Sequence, residues 1–105
     1  MKASDKLEGA RAFYTVDRDL KFISASRNTL ALWGKSRGDM IGKHLFDLFP
    51  FAKGGPTHEG LLEAMRTFRP VRVKDRSVYL AQQIDVEIYP VADGLQVSFA
   101  PVREP

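Results

Sequence analysis

A chain of 105 residues, 44% apolar and 28% charged, has material for one buried core and not for two. It carries no cysteine, which excludes a disulfide framework, a zinc cluster built on thiolates and a thiol nucleophile. The net charge of +3 is spread among both signs, and the densest basic patch, RPVRVKDR at Arg69 to Arg76, is interrupted by Asp75, so no nucleic-acid partner is expected.

No window approaches the run of about 20 apolar residues that a membrane span needs. The leading MKASDKLEGARAF has no signal-peptide hydrophobic region, so a cytoplasmic setting without membrane contact is the expectation. Residues 1–10 read as a polar lead-in segment, 11–102 as the domain and 103–105 as a tail. In AFYTVDRDLKFIS, the β-rich runs AFYTV and LKFIS flank Asp17-Arg18-Asp19, which predicts a hairpin. Ser26 then caps a short helix, SRNTLALWG, with Leu30 and Trp33 on one face and Gly34 as its left-handed stop. Ser36 and Asp39 form a capping-box variant for a second piece that Gly42 closes in the same way. A third piece, KHLFDLFP, presents Leu45, Phe46, Leu48 and Phe49 before Pro50 interrupts it.

Pro56 suits the first position of a longer helix, PTHEGLLEAMRTF, whose apolar stripe is Leu61, Leu62, Met65 and Phe68 and whose first turn Gly60 weakens. Three strand-like runs follow: VRVKDRSVYL, QIDVEIYPV and LQVSFAPV. Ile84, Val86 and Ile88 alternate with polar neighbours, and Ala92-Asp93-Gly94 turns the chain into Leu95, Val97 and Phe99. Two strands, helical pieces, a longer helix and three strands make an α+β domain, a five-stranded antiparallel sheet with its helices gathered on one face.

In that order these segments resemble the PAS domain family, the sensory box of bacterial sensor histidine kinases, from about Phe13 to Val102. FYTVDRDLKFIS is similar to the family's opening hairpin, SRNTLALWG to its first helix and MIGKHLFDLFP to its glycine-then-helix segment. RTFRPVRV and DVEIYPVADGLQVSF resemble its last three strands. The resemblance implies strand order 2-1-5-4-3, with short helices broken by Gly34, Gly42 and Pro50 acting as a lid over a small apolar pocket. Ser26 stands where the family often has Asn, and Ala100-Pro101-Val102 where it commonly ends in Asp-Ile-Thr, so the usual route of output is not carried over.

The expected pocket lining is Trp33, Phe46, Phe49, Leu62, Met65, Ile84, Val86 and Val97, residues that read equally well as plain core. Ser98, Thr15, Tyr14 and Gln83 are the candidates for a polar group inside it. His58 lies in the element from which haem-binding relatives supply an axial ligand, but its place beside an exposed loop reads as a solvated surface histidine, as does that of His44. Covalent flavin or chromophore attachment needs the missing cysteine, and non-covalent flavin has only Trp33 as a hint. The expected cofactor is therefore none or an unknown small molecule, with no metal. Without a Ser-His-Asp order, phosphate loop or buried carboxylate pair, and with Asp17, Asp47 and Asp85 read as turn or solvent-face residues, the domain is not expected to be an enzyme.

The resemblance implies a sensory input module, attached to an effector domain in a histidine kinase, a cyclic-dinucleotide enzyme or a transcriptional regulator. The alternative is a ligand-free dimerisation or docking module. Its homodimer would form through the outer sheet face and the first ten residues.

Overall fold

The period-two patterns of the sequence close into one sheet in a computed structural model that describes residues 11–77 and 82–102. Its strands are β1 (Ala12–Asp17), β2 (Phe22–Ala25), β3 (Val71–Ser77), β4 (Gln82–Val91) and β5 (Gly94–Pro101). All neighbours are antiparallel and the order is β2-β1-β5-β4-β3. Tyr14 pairs with Val97, and Val86 lies between Val73 and Phe99. Those residues share one face because side chains alternate along each strand. The segments 1–10 and 103–105 lie outside the described residues.

Over that face run α1 (Arg27–Trp33), α2 (Arg37–Met40), α3 (Leu45–Leu48), a 3-10 turn (Pro50–Ala52) and α4 (Pro56–Thr67). The Ser26 hydroxyl accepts the Thr29 N–H, and Gly34 ends α1 in the left-handed conformation. At α2 both halves of the capping box form: Ser36 Oγ accepts from the Asp39 N–H at 3.3 Å, and Asp39 Oδ2 from the Ser36 N–H at 3.0 Å. Val16, Met40, Leu61, Ile88 and Val97 are fully buried between the two layers. Each such side chain contributes about 2 kcal/mol by leaving water.

Four local expectations are corrected. The second strand starts at Phe22 and not Leu20, because Asp17 Oδ1 accepts the N–H groups of Asp19 and Lys21 and holds the loop through Lys21, leaving Leu20 at φ 64°. Gly42 does not cap α2, whose C-cap is Ile41; its N–H donates to the Phe22 carbonyl, and with Phe22 N–H to Lys43 O and Leu45 N–H to Leu20 O it covers the outer edge of β2. Pro50 does not merely interrupt a helix; it opens the 3-10 turn, which has no side-chain cap. Gly60 lies in the second turn of α4 and not the first. A Cβ there would stand 2.9 Å from Ile88 Cδ1 and 3.3 Å from Val73 Cγ1, so its absence lets the helix lie close on the sheet.

The buried face of α4 is consequently Gly60, Leu61 and Ala64. Leu62 and Phe68 are exposed, Phe68 being the left-handed C-cap at φ 59°.

Candidate ligand cavity

Between the sheet and the short helices lies a cavity of about 100 Å³. Its floor is Tyr14, Ile84, Val86, Val97 and Phe99, and its roof is Trp33, Leu45, Phe49, Phe51 and Ala52. Thr57, Asp75 and Ser77 make one polar end, bordered by Arg76, which alternates with Asp75 and Ser77 along β3 and so faces outward, with exposed Phe51 at the mouth. The aromatic rings brace one another. Trp33 meets Phe49 edge-on at 4.6 Å between centroids and stacks nearly parallel to Phe99 at 5.8 Å, while Tyr14 lies 5.4 Å from both Trp33 and Phe22.

Of the residues expected from sequence, Trp33, Phe49, Ile84, Val86 and Val97 line this cavity. Phe46, Leu62 and Met65 do not. Phe46 points the other way and packs between His44, at 5.1 Å, and His58, at 4.8 Å and edge-on. Leu62 lies on the solvent side of α4 beside Pro56, Glu59 and Arg66, because Gly60 and Leu61 take the inner face. Met65 is on the far side of α4, near Phe68, Pro90 and Leu95.

The polar candidates are sorted by strand alternation. Tyr14 faces the cavity, whereas Ser98 lies on the outer face, its Oγ accepting the Arg11 Nε–H at 2.9 Å. Thr15, one residue from Tyr14, and exposed Gln83, paired with Arg76, are not in the lining. Sequence reasoning missed Thr57, Asp75 and Ser77. Asp75 Oδ2 accepts both the Thr57 N–H at 3.1 Å and the Thr57 hydroxyl at 2.6 Å, and Oδ1 accepts the Arg76 N–H at 2.7 Å. The α4 N-cap, Gly55, has no side chain to offer, so a carboxylate from β3 caps the helix in its place. No local pattern encodes a contact between residues 18 apart; the missed signal that sequence did hold is the inward position of Phe99, alternating with Val97. Burial pushes the Tyr14 phenol well above its ordinary range, and the charge of Asp75 adds to the shift.

Neither histidine is simply solvated. Both are half-buried: His44 caps α3 by accepting the Phe46 N–H at its Nδ1, and His58 Nδ1 accepts the Gly54 N–H at 2.8 Å. His58 is not part of the cavity lining. Among the described residues, no group of three or more His, Cys, Asp or Glu is placed to hold a metal ion, and no helix is long and apolar enough to cross a membrane. Asp85, read as a plain solvent-face residue, is the hub of the outer face. Arg72 grips it with bonds of 3.1 and 2.7 Å, and Arg11 approaches within 3.6 Å.

An antiparallel sheet in the order 2-1-5-4-3, roofed on one face by short helices over an apolar cavity, is the architecture of a sensory domain. The chain belongs to the PAS fold family, whose model matches residues 10–102. Solved structures agree. A sensory box sensor histidine kinase from Vibrio cholerae superposes with a TM-score of 0.79 at 12% identity, over 97% of this chain and 90% of that one. A domain of an HTR-like protein from Haloarcula marismortui gives 0.75 at 13% identity, over 89% and 98%. The PAS domain of the quorum-sensing receptor RpfR from Cronobacter turicensis, solved in complex with BDSF, gives 0.69 at 12% identity, over 91% and 97%. At these identities the likeness is one of fold. No curated protein sequence matches the chain significantly. PAS domains are in general non-catalytic sensory modules, and in kinases they sit within larger proteins and often dimerise.

Proposed function

We propose that the chain is the cytoplasmic sensory input module of a signal-transduction protein, a sensor histidine kinase before a cyclic-dinucleotide enzyme or a transcriptional regulator, and that it senses a small ligand in the cavity. The cavity carries this reading: a roof of short helices meets the sheet around an apolar space with one polar end. A ligand that binds one packing of roof on sheet better than another shifts their populations and so biases an attached effector domain. The RpfR domain, of the same fold, is a quorum-sensing receptor domain solved in complex with BDSF. A volume of about 100 Å³ is well below the roughly 300–1,000 Å³ of drug-sized sites, which favours a small molecule over flavin. The place of His58 outside the lining likewise speaks against haem.

A second reading, a homodimer or docking module, is favoured by Phe13, Ile23 and Tyr89, each exposed on the sheet strands. Native mass spectrometry of the purified chain, against its denatured mass, tests both. The expected result is one equivalent of small-molecule mass per chain. A bare dimer whose mass no added small molecule changes would replace the first reading with the second.

A further inference from the structure

The polar end of the cavity is almost fully spent on itself. Both donors of Thr57 go to Asp75, Asp75 already accepts three hydrogen bonds, and Ser77 is not free. The exception is Tyr14, 6% exposed, whose hydroxyl takes part in none of the hydrogen bonds of the described residues. No fully enclosed side-chain oxygen or nitrogen among those residues lacks a partner, so the Tyr14 hydroxyl opens onto the cavity space.

That inventory decides what fits. Arg76 alternates with inward Asp75 and Ser77 along β3, so its guanidinium leaves on the outer sheet face; among the described residues a carboxylate would need several donors, would find one, and would lie near the charge of Asp75. An ammonium group would bring three donors to a site whose carboxylate is already occupied. A neutral molecule with a single acceptor leaves nothing unpaired. Size adds a limit, since an apolar cavity of about 150 Å³ admits benzene and this one measures about 100 Å³.

We propose that the cavity selects a small neutral molecule, smaller than benzene, whose one hydrogen-bond acceptor is held by the Tyr14 hydroxyl, and that it rejects organic anions and cations. This rests on reading the cavity as a ligand site.

Trp33 is the sole tryptophan and lines the cavity, so its indole N–H gives one nuclear magnetic resonance signal that reports occupancy. The 15N-labelled chain is titrated with acetone, 2-methylpropene, acetate and isopropylammonium at pH 7. Acetone should move the signal with at least tenfold higher affinity than either charged probe. In Tyr14→Phe its affinity should fall about threefold to tenfold, the worth of one neutral hydrogen bond, while that of 2-methylpropene stays unchanged. In Asp75→Asn, which keeps an acceptor for Thr57, the carboxylate should gain. Equal binding of a charged probe, or an unchanged ketone affinity in Tyr14→Phe, overturns the selectivity while leaving the cavity a ligand site. If none of the four moves the Trp33 signal, both the selectivity and the ligand-site reading fail.

Discussion

Tyr14 owes its place to one period of alternation: Ala12, Tyr14 and Val16 turn inward on β1 while Phe13 and Thr15 turn out. Its phenol is desolvated beside Asp75, so the folded chain holds that proton more tightly than the unfolded chain does. The linkage follows in sign. Stability is intact below the ordinary phenol value near 10 and declines above it, where unfolded chains ionise and folded ones do not. Alkaline titration followed at the tyrosinate absorbance band should therefore leave Tyr14 silent until the chain unfolds, and Tyr14→Phe should flatten the alkaline loss of stability. A tyrosine that titrates normally in the folded wild type but is missing in Tyr14→Phe would disprove the burial argument. Asp75 marks where sequence reading fails at this scale. It reads as a break in a basic patch, and only the fold reveals that it caps a helix 18 residues away.

At the scale of elements, the ends of the short helices were legible because caps are local: Ser26, Ser36 with Asp39, and Gly34 each act within one turn of themselves. The orientation of α4 was not. Hydrophobicity puts Leu61, Leu62, Met65 and Phe68 on the core side, yet the inner face is set by how close the helix can come to Val73 and Ile88, and Gly60 permits that approach. Three of the eight expected lining residues fail for related reasons, since Phe46, Leu62 and Met65 satisfy their apolar surface on other faces. Gly60→Ala tests whether the end of the buried Ile88 side chain can give way. Helix propensity alone favours alanine by about 1 kcal/mol. Overpacking against Ile88 and Val73 costs about 1–3 kcal/mol, so the urea midpoint should fall; a rise would show that the contact relaxes freely.

Across the whole molecule the two sheet faces do different work. The inner face supplies burial and the cavity; the outer face carries Arg11, Arg72, Asp85 and Glu87 across neighbouring strands. The bond from Arg72, with the charges around it, holds the Asp85 carboxyl below the ordinary range, and bonds from Ser36 do the same for Asp39. A lowered carboxyl value contributes stability above the ordinary carboxylate range and loses it as pH falls through the folded value. Urea unfolding at pH 7 and pH 3 should show a drop, smaller in Asp85→Asn and smaller in high salt, because Arg72 is largely exposed. An unchanged drop in that variant would assign acid sensitivity elsewhere. The α+β class was legible through the order of segments and the strand order only through the family resemblance; the partners on each face were not, because cross-strand register joins residues far apart in the chain.

The 3-10 turn at Pro50–Ala52 bears on time as well as on geometry. It lacks a side-chain cap and leaves Phe51 60% exposed at the cavity mouth, whereas α4 is pinned by Asp75 and by its close approach at Gly60. On the ligand reading proposed above, this wall sets how fast a guest comes and goes, since opening it speeds arrival and departure alike. Pro50→Ala, outside the lining, should raise both rate constants together and leave their ratio nearly fixed, as relaxation-dispersion measurements on a bound probe would show.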